Sequence, residues 1–161
     1  MKTSRRGVMR GAAALALGGG LAMPTVLVAR DPMADAALAF LESIGAARHD
    51  KAVYPFDGEE RADWHYVPRS RPGIPLKDLK KEQRERVFAL LRTALSEQGM
   101  RKVDGVIQLE AILAEGAGGW FRDPENYALA IFGDPSGGAP WGWRFEGHHL
   151  SLSFTVVPGQ G

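Results

Sequence analysis

The sequence predicts an α+β protein with helices packed on one face of an antiparallel sheet, and two patterns carry that prediction. Val87, Leu90, Leu91, Ala94 and Leu95 fall at i, i+3, i+4, i+7 and i+8, the stripe of a helix laid on a core. Near the end of the chain Trp141, Trp143 and Phe145 alternate with Gly142, Arg144 and Glu146, and Leu150, Leu152, Phe154 and Val156 alternate with polar residues, the period-two signature of strands. Helical patterns come first and the clearest strands last, which separates the two kinds of element along the chain.

The chain begins with a different kind of segment. Ser4-Arg5-Arg6-Gly7-Val8-Met9-Arg10 sets paired arginines beside a short apolar stretch, Gly11 to Ala22. That stretch is too short and too rich in glycine to span a bilayer, which takes about 20 apolar residues. A basic start, a modest apolar run and small residues near its end mark a cleaved signal, and the arginine pair resembles the twin-arginine form that carries folded cargo. Cleavage fits after Ala22 or after Ala29, and without cysteine the segment is no lipoprotein signal. Residues 1–30 are therefore expected to be a twin-arginine signal and residues 31–161 a single domain, periplasmic or secreted, with no stable membrane span after signal removal.

Charge follows the same division. The first 22 residues hold four of the 20 Lys and Arg and none of the 19 Asp and Glu, so the remainder carries a formal charge of −3. No net-positive field is left to attract nucleic acid or anionic lipid. Lys77, Lys80, Lys81, Arg84 and Arg86 are interleaved with Asp78, Glu82 and Glu85, the mixture of a solvated helix face. The absence of cysteine excludes thiol chemistry, disulfides and cysteine metal sites.

Within the domain, Ala34 to Ala47 reads as a helix with Ala37, Leu41 and Ile44 on one stripe. Asp50 to Phe56 reads as a short strand that turns at Asp57-Gly58 toward a second at Trp64-His65-Tyr66. Pro68, Pro72, Gly73 and Pro75 punctuate an extended linker. The main helix is expected from about Asp78 to Gln98, ended by Gly99 in a left-handed conformation. A second, Lys102 to Glu115, is expected to turn Val106, Leu109 and Leu113 inward, making an αα-hairpin with the first. Tyr127 to Phe132 is apolar on both faces and reads as a central strand. A final hairpin turning at Glu146-Gly147 would pair Phe145 with His148 and Trp143 with Leu150, gathering the large apolar residues on one face.

The candidate chemistry lies on the other face of that hairpin. Arg144, Glu146 and His149 combine a group that titrates near neutrality with charged partners to orient it. In a hydrolase His149 would be the acid/base, Glu146 its orienter or a ligand, and Arg144 the stabiliser of an anion. The same face also reads as a solvated surface with a cross-strand ion pair. His148 reads as a structural histidine at the rim of the apolar face, because adjacent strand residues point to opposite sides. On that register His148 and His149 cannot share a metal, a third ligand would have to come from His65 or Glu146, and no tight transition-metal binding is expected. Asp57, Glu59, Glu60, Arg61 and Asp63 form an acidic turn with no EF-hand spacing. The loop from Gly133 to Pro140 lacks the residues of a phosphate cradle, and no nucleophile elbow, zincin or dinucleotide motif is present. The alternative class is a non-catalytic binding or interaction module for a small molecule or peptide, using Trp120, Trp141 and Trp143 as a groove. Cofactor and metal are not specified by any of these patterns.

The run Trp141-Gly142-Trp143-Arg144-Phe145-Glu146-Gly147-His148-His149-Leu150-Ser151-Leu152 resembles the bacterial domain-of-unknown-function family numbered 3500. So do Arg122-Asp123-Pro124-Glu125-Asn126-Tyr127 with Ile131-Phe132-Gly133, Leu95-Ser96-Glu97-Gln98-Gly99, and Gly73-Ile74-Pro75-Leu76. The resemblance implies export and carries no reaction. It also implies a longer protein, of which this chain is the N-terminal portion, so that a further segment or a second copy would cover the last hairpin. The chain departs from the family pattern at Ser153, where Asn is usual.

Replacing Arg5 and Arg6 together by Lys is expected to hold the protein in the cytoplasm. Fractionation checks this, and unchanged export would refute the twin-arginine assignment.

Overall fold

The computed structural model of the chain describes residues 31–117 and 122–159. The expected signal and Trp120 lie outside the described residues. Helix α1 spans Pro32–Ile44, α2 is the single turn His49–Ala52, α3 spans Lys81–Ala94 and α4 spans Glu97–Ala117. Strands β1 (Val53–Tyr54), β2 (Ile74–Pro75), β3 (Ala128–Phe132), β4 (Trp141–Gly147) and β5 (Leu150–Val156) form one mostly antiparallel sheet. The protein is α+β, as its sequence patterns predict.

Local chemistry sets the helix ends. Asp31 caps α1 by accepting a 2.9 Å bond from the Met33 N–H, Pro32 occupies the first turn, where its missing donor costs nothing, and Gly45 closes the helix at φ 76°. The break between α3 and α4 falls earlier than expected. Leu95 leaves the helix in an extended conformation, and Ser96 caps α4 by accepting the Gly99 N–H at 3.2 Å. Gly99 thus lies in the first turn of α4 instead of ending α3, because a serine two residues beyond the last helical turn outcompetes a glycine further on.

Helix α4 is also rotated from the expected orientation. Val103 and Glu110 are its buried residues, with Ile107 packed between them, whereas Leu109, Ile112 and Leu113 are exposed. The inward stripe is therefore Val103-Ile107-Glu110, at i, i+4 and i+7, and it ends on a carboxylate.

Strand β3 is the centre of the sheet. It pairs with β4 along one edge, and its other edge is shared by β1, parallel at Val53↔Ile131, and β2, antiparallel at Ile74↔Leu129. The expected hairpin of residues 50–56 with Trp64–Tyr66 does not form. Residues 49–52 are helical, and the proline-rich stretch supplies β2, since Ile74 has the apolar side chain that the sheet face requires. Gly73 makes that approach feasible: at φ 94° a side chain there would come within 2.3 Å of the Leu129 carbonyl oxygen.

The terminal hairpin turns at His148-His149, pairing Gly147↔Leu150, Phe145↔Leu152, Trp143↔Phe154 and Trp141↔Val156. The turn lies two residues further along than expected, which shifts each residue's partner by four: Phe145 meets Leu152 and not His148, and Trp143 meets Phe154 and not Leu150. The apolar and polar faces survive the shift, because a slip by an even number keeps every side chain on its own side. His149 takes φ 62°, a left-handed conformation that histidine tolerates better than most residues.

The apolar face of the sheet meets α1 and α3. Leu129, Ile131, Trp141, Trp143 and Phe145 share one buried cluster with Phe40, Leu41, Val87, Leu90 and Leu91. Trp143 is 1% exposed and stacks on Phe154 at 4.5 Å between centroids. The tryptophan groove expected of a binding module is therefore absent at Trp141 and Trp143, which are core.

Trp143→Ala is expected to cost about 3–5 kcal/mol of stability. Its indole N–H is buried without a hydrogen-bond partner, so Trp143→Phe removes an unsatisfied donor along with the extra ring and should cost much less. Chemical denaturation of both variants checks the ordering.

Candidate functional site

The polar face of β4 is not solvated. Arg144 and Glu146 are 1% and 2% exposed, covered by the segment between β1 and β2. Space for them comes from β3, whose residues on that face opposite Arg144 and Glu146 are Ala130 and Ala128. Arg144 donates to the Glu60 carbonyl and to Glu60 Oε1, each at 2.8 Å, and its guanidinium lies 5.2 Å from the Phe132 ring centre. Glu146 Oε2 accepts the His65 backbone N–H at 3.1 Å and the Ser151 hydroxyl at 3.2 Å. Its Oε1 lies 3.3 Å from Arg144 Nε and 3.9 Å from Arg71 Nε, close enough for ion pairing, although neither Nε completes a hydrogen bond. Burial lowers the Arg71 guanidinium from its ordinary value, and the Glu146 charge opposes the shift. Two arginines and two glutamates thus balance on this face, and the cross-strand ion pair expected there does not form: Arg144 and Glu146 pair along one strand, and their other charged partners, Glu60 and Arg71, come from the covering segment.

His149 belongs to a different grouping. The turn lifts it beyond the strand ends, where its N–H donates to the Tyr66 carbonyl at 2.8 Å and its ring stacks on that of His148 at 3.8 Å. His148 Nδ1 lies 2.9 Å from Glu110 Oε2, and Arg122 reaches Glu110 Oε1 at 3.4 Å. A carboxylate oxygen of Glu110 and one ring nitrogen from each histidine lie within 4.8 Å of one another. The opposed directions expected of the two histidines rested on placing both in a strand. As the two turn residues they converge instead.

Several residues fix this arrangement. The Tyr127 hydroxyl donates to the His148 carbonyl at 2.8 Å. Burial, with a smaller contribution from the Glu110 charge, raises the Tyr127 phenol well above its ordinary range, which keeps it a protonated donor. Gly147 lets that ring lie across the hairpin end, since a Cβ there would fall 2.2 Å from Tyr127 Cδ1. Asp123 accepts the Glu125 N–H at 2.9 Å and pairs with Lys77 at 3.2 Å, while Glu125 pairs with Arg84, so the run from Arg122 to Tyr127 is pinned where it enters β3. His65 pairs with Asp63 at 2.8 Å, and the imidazole Nε2 of His49 lies 3.0 Å from the Leu41 carbonyl oxygen. Neither histidine is in the convergent group found among the described residues.

Glu110 is the residue that pattern reading passes over. Its signal is its place three residues after Ile107 and seven after Val103, visible only if the helix is turned to bury Val103 instead of Val106.

The fold and site define an α+β protein with a two-histidine, one-carboxylate cluster at the tip of its terminal hairpin. The chain belongs to the family described as "Protein of unknown function (DUF3500)", which it matches over residues 28–161, most of the chain and not merely a leading part of it. Comparison with curated proteins and with solved structures gave no match. Among the described residues no helix is long and apolar enough to cross a membrane.

Glu146→Gln keeps the shape of the enclosed cluster and removes the charge between two buried arginines. It is expected to cost about 3–5 kcal/mol. Adding Arg71→Met should recover part of that loss, and a double-mutant cycle by denaturation measures how much.

Proposed function

We propose that this chain is exported by the twin-arginine route to the periplasm or beyond, and that it is a hydrolase working at the tip of the β4–β5 hairpin. The observation that carries the reading is the array Glu110–His148–His149. A carboxylate 1% exposed sits against one imidazole, and a second imidazole stacks on the first in an exposed turn. A histidine oriented by a buried carboxylate is the arrangement that general acid/base chemistry requires, and hydrolysis consumes only water besides its substrate. Glu110 orients His148, and His149, the member that meets solvent, stacks on that ring and is the acid/base of the proposal. Glu146 acts as a positioning residue, gripping the segment before Tyr66 through His65 and the start of β5 through Ser151. Arg144 is enclosed and paired with Glu60 and Glu146, so its part is to hold Glu146 and not to meet a substrate anion.

A binding or interaction module is the second reading, and one observation favours it. Trp64 and Tyr66 are about half exposed, with ring centres 6.5 Å apart, beside the same turn. This aromatic pair, and not Trp141 and Trp143, is the surface such a module would use for a small molecule or a peptide.

Protein recovered from the periplasm should hydrolyse at least one member of a panel of chromogenic carboxylic esters, phosphoesters and amides. His149→Ala should lower kcat/KM by roughly 10²–10⁴-fold, and His49→Ala should leave it unchanged. Absence of turnover across the panel, with ligand binding lost in Trp64→Ala, would replace the hydrolase by the binding module.

A further inference from the structure

We infer that Glu110, His148 and His149 form a binding site for a divalent transition-metal ion of the zinc class, with two imidazoles and one carboxylate as ligands and a fourth position open to solvent. The donor set suits such an ion: imidazole nitrogen with one carboxylate oxygen is a recurrent ligand combination for zinc and its neighbours, and three protein ligands with an open position mark sites that activate water. The spacing suits it as well. Ligand atoms around a tetrahedral ion at about 2.0–2.1 Å are roughly 3.3 Å apart. The three candidate atoms already lie within 4.8 Å, two of them 2.9 Å apart.

Three features outside the donor set point the same way. Both histidines are held through their backbones, His148 by the Tyr127 hydroxyl on its carbonyl and His149 by the Tyr66 carbonyl on its N–H. The turn places His149 at φ 62°, and its ring is stacked on that of His148 at 3.8 Å between centroids. Glu110 is carried into the core at the end of an apolar stripe, while Leu109, Ile112 and Leu113 of the same helix are left outside. Burying a carboxylate in place of three larger apolar side chains is costly unless the carboxylate has cationic partners. Arg122 supplies one at 3.4 Å to Oε1, and on the side of Oε2, where His148 lies at 2.9 Å, the ion would add a second positive charge. Arg122 then stands behind the ligand, where outer partners fix ligand orientation.

The binding of the ion does not depend on the hydrolase proposal, and only its use does. When bound, the ion would supply Lewis acidity and lower the pKa of a coordinated water, taking over the activation of water from His149.

Calorimetric titration of chelator-treated full-length protein with zinc chloride tests the site. The expected result is one-to-one binding at micromolar affinity or tighter, weakened at least tenfold in His149→Ala and in Glu110→Gln, and unchanged in His49→Ala and His65→Ala. Because Glu110 is buried, the deciding variant is the exposed His149→Ala, whose fold is checked by circular dichroism. No binding, or binding indifferent to His149→Ala, overturns the site. Hydrolysis that persists in excess chelator leaves the hydrolase standing and removes the ion from it. One-to-one zinc binding without hydrolysis of any panel substrate keeps the metal site and removes the hydrolase.

Discussion

Glu146 is the point on which this structure turns. It faces Arg144 on its own strand and Arg71 from the covering segment; Arg144 has Glu60 as a second anion, whereas Arg71 would be an uncompensated buried charge without Glu146. Its second oxygen bonds the backbone at His65 and the side chain of Ser151. One carboxylate therefore ties the covering segment to both strands of the hairpin, and the position of the turn follows from that grip. The arrangement is costly in desolvation, and its return is a unique seating for a segment that has almost no secondary structure of its own.

A second buried carboxylate meets the same hairpin from the helical side. Glu110 reaches His148 from α4, while the Tyr66 carbonyl takes the His149 N–H from the covering segment. The tip is thus held by a helix on one side and by a loop on the other. Both braces matter, because a turn of two residues is otherwise among the more mobile parts of a sheet.

Much of this could be read from the chain and some of it could not. Alternation in β4 and β5 separated an apolar from a polar face correctly, since a strand's period does not depend on its partner. The pairing that joins the strands does depend on the turn, and Glu146-Gly147 resembles turn chemistry more than His148-His149 does. Arg144 and Glu146 were legible as a pair, but their burial was not, because the segment that covers them carries loop signals and no periodicity. In α4 two stripes compete. The more apolar one, Val106-Leu109-Leu113, leaves both leucines exposed, and the winner contains Glu110, whose partners Arg122 and His148 arrive from elsewhere in the chain. Hydrophobic periodicity weighs a helix alone, so it has no means of crediting a carboxylate with its distant partners.

The order of the strands bears on how the molecule is made. The central strand β3 comes after every helix, yet β1 and β2, which precede α3, have no partner in the sheet other than β3. Val53 must wait for Ile131, and Ile74 for Leu129. While the chain emerges from the ribosome α1 and α3 can pack on each other, but their sheet-facing sides stand open until the last fifth of the sequence arrives. Closing such long loops slows folding, because the entropy of closure is spent before the contacts reward it. The core of this protein therefore cannot be completed before β3 has been made.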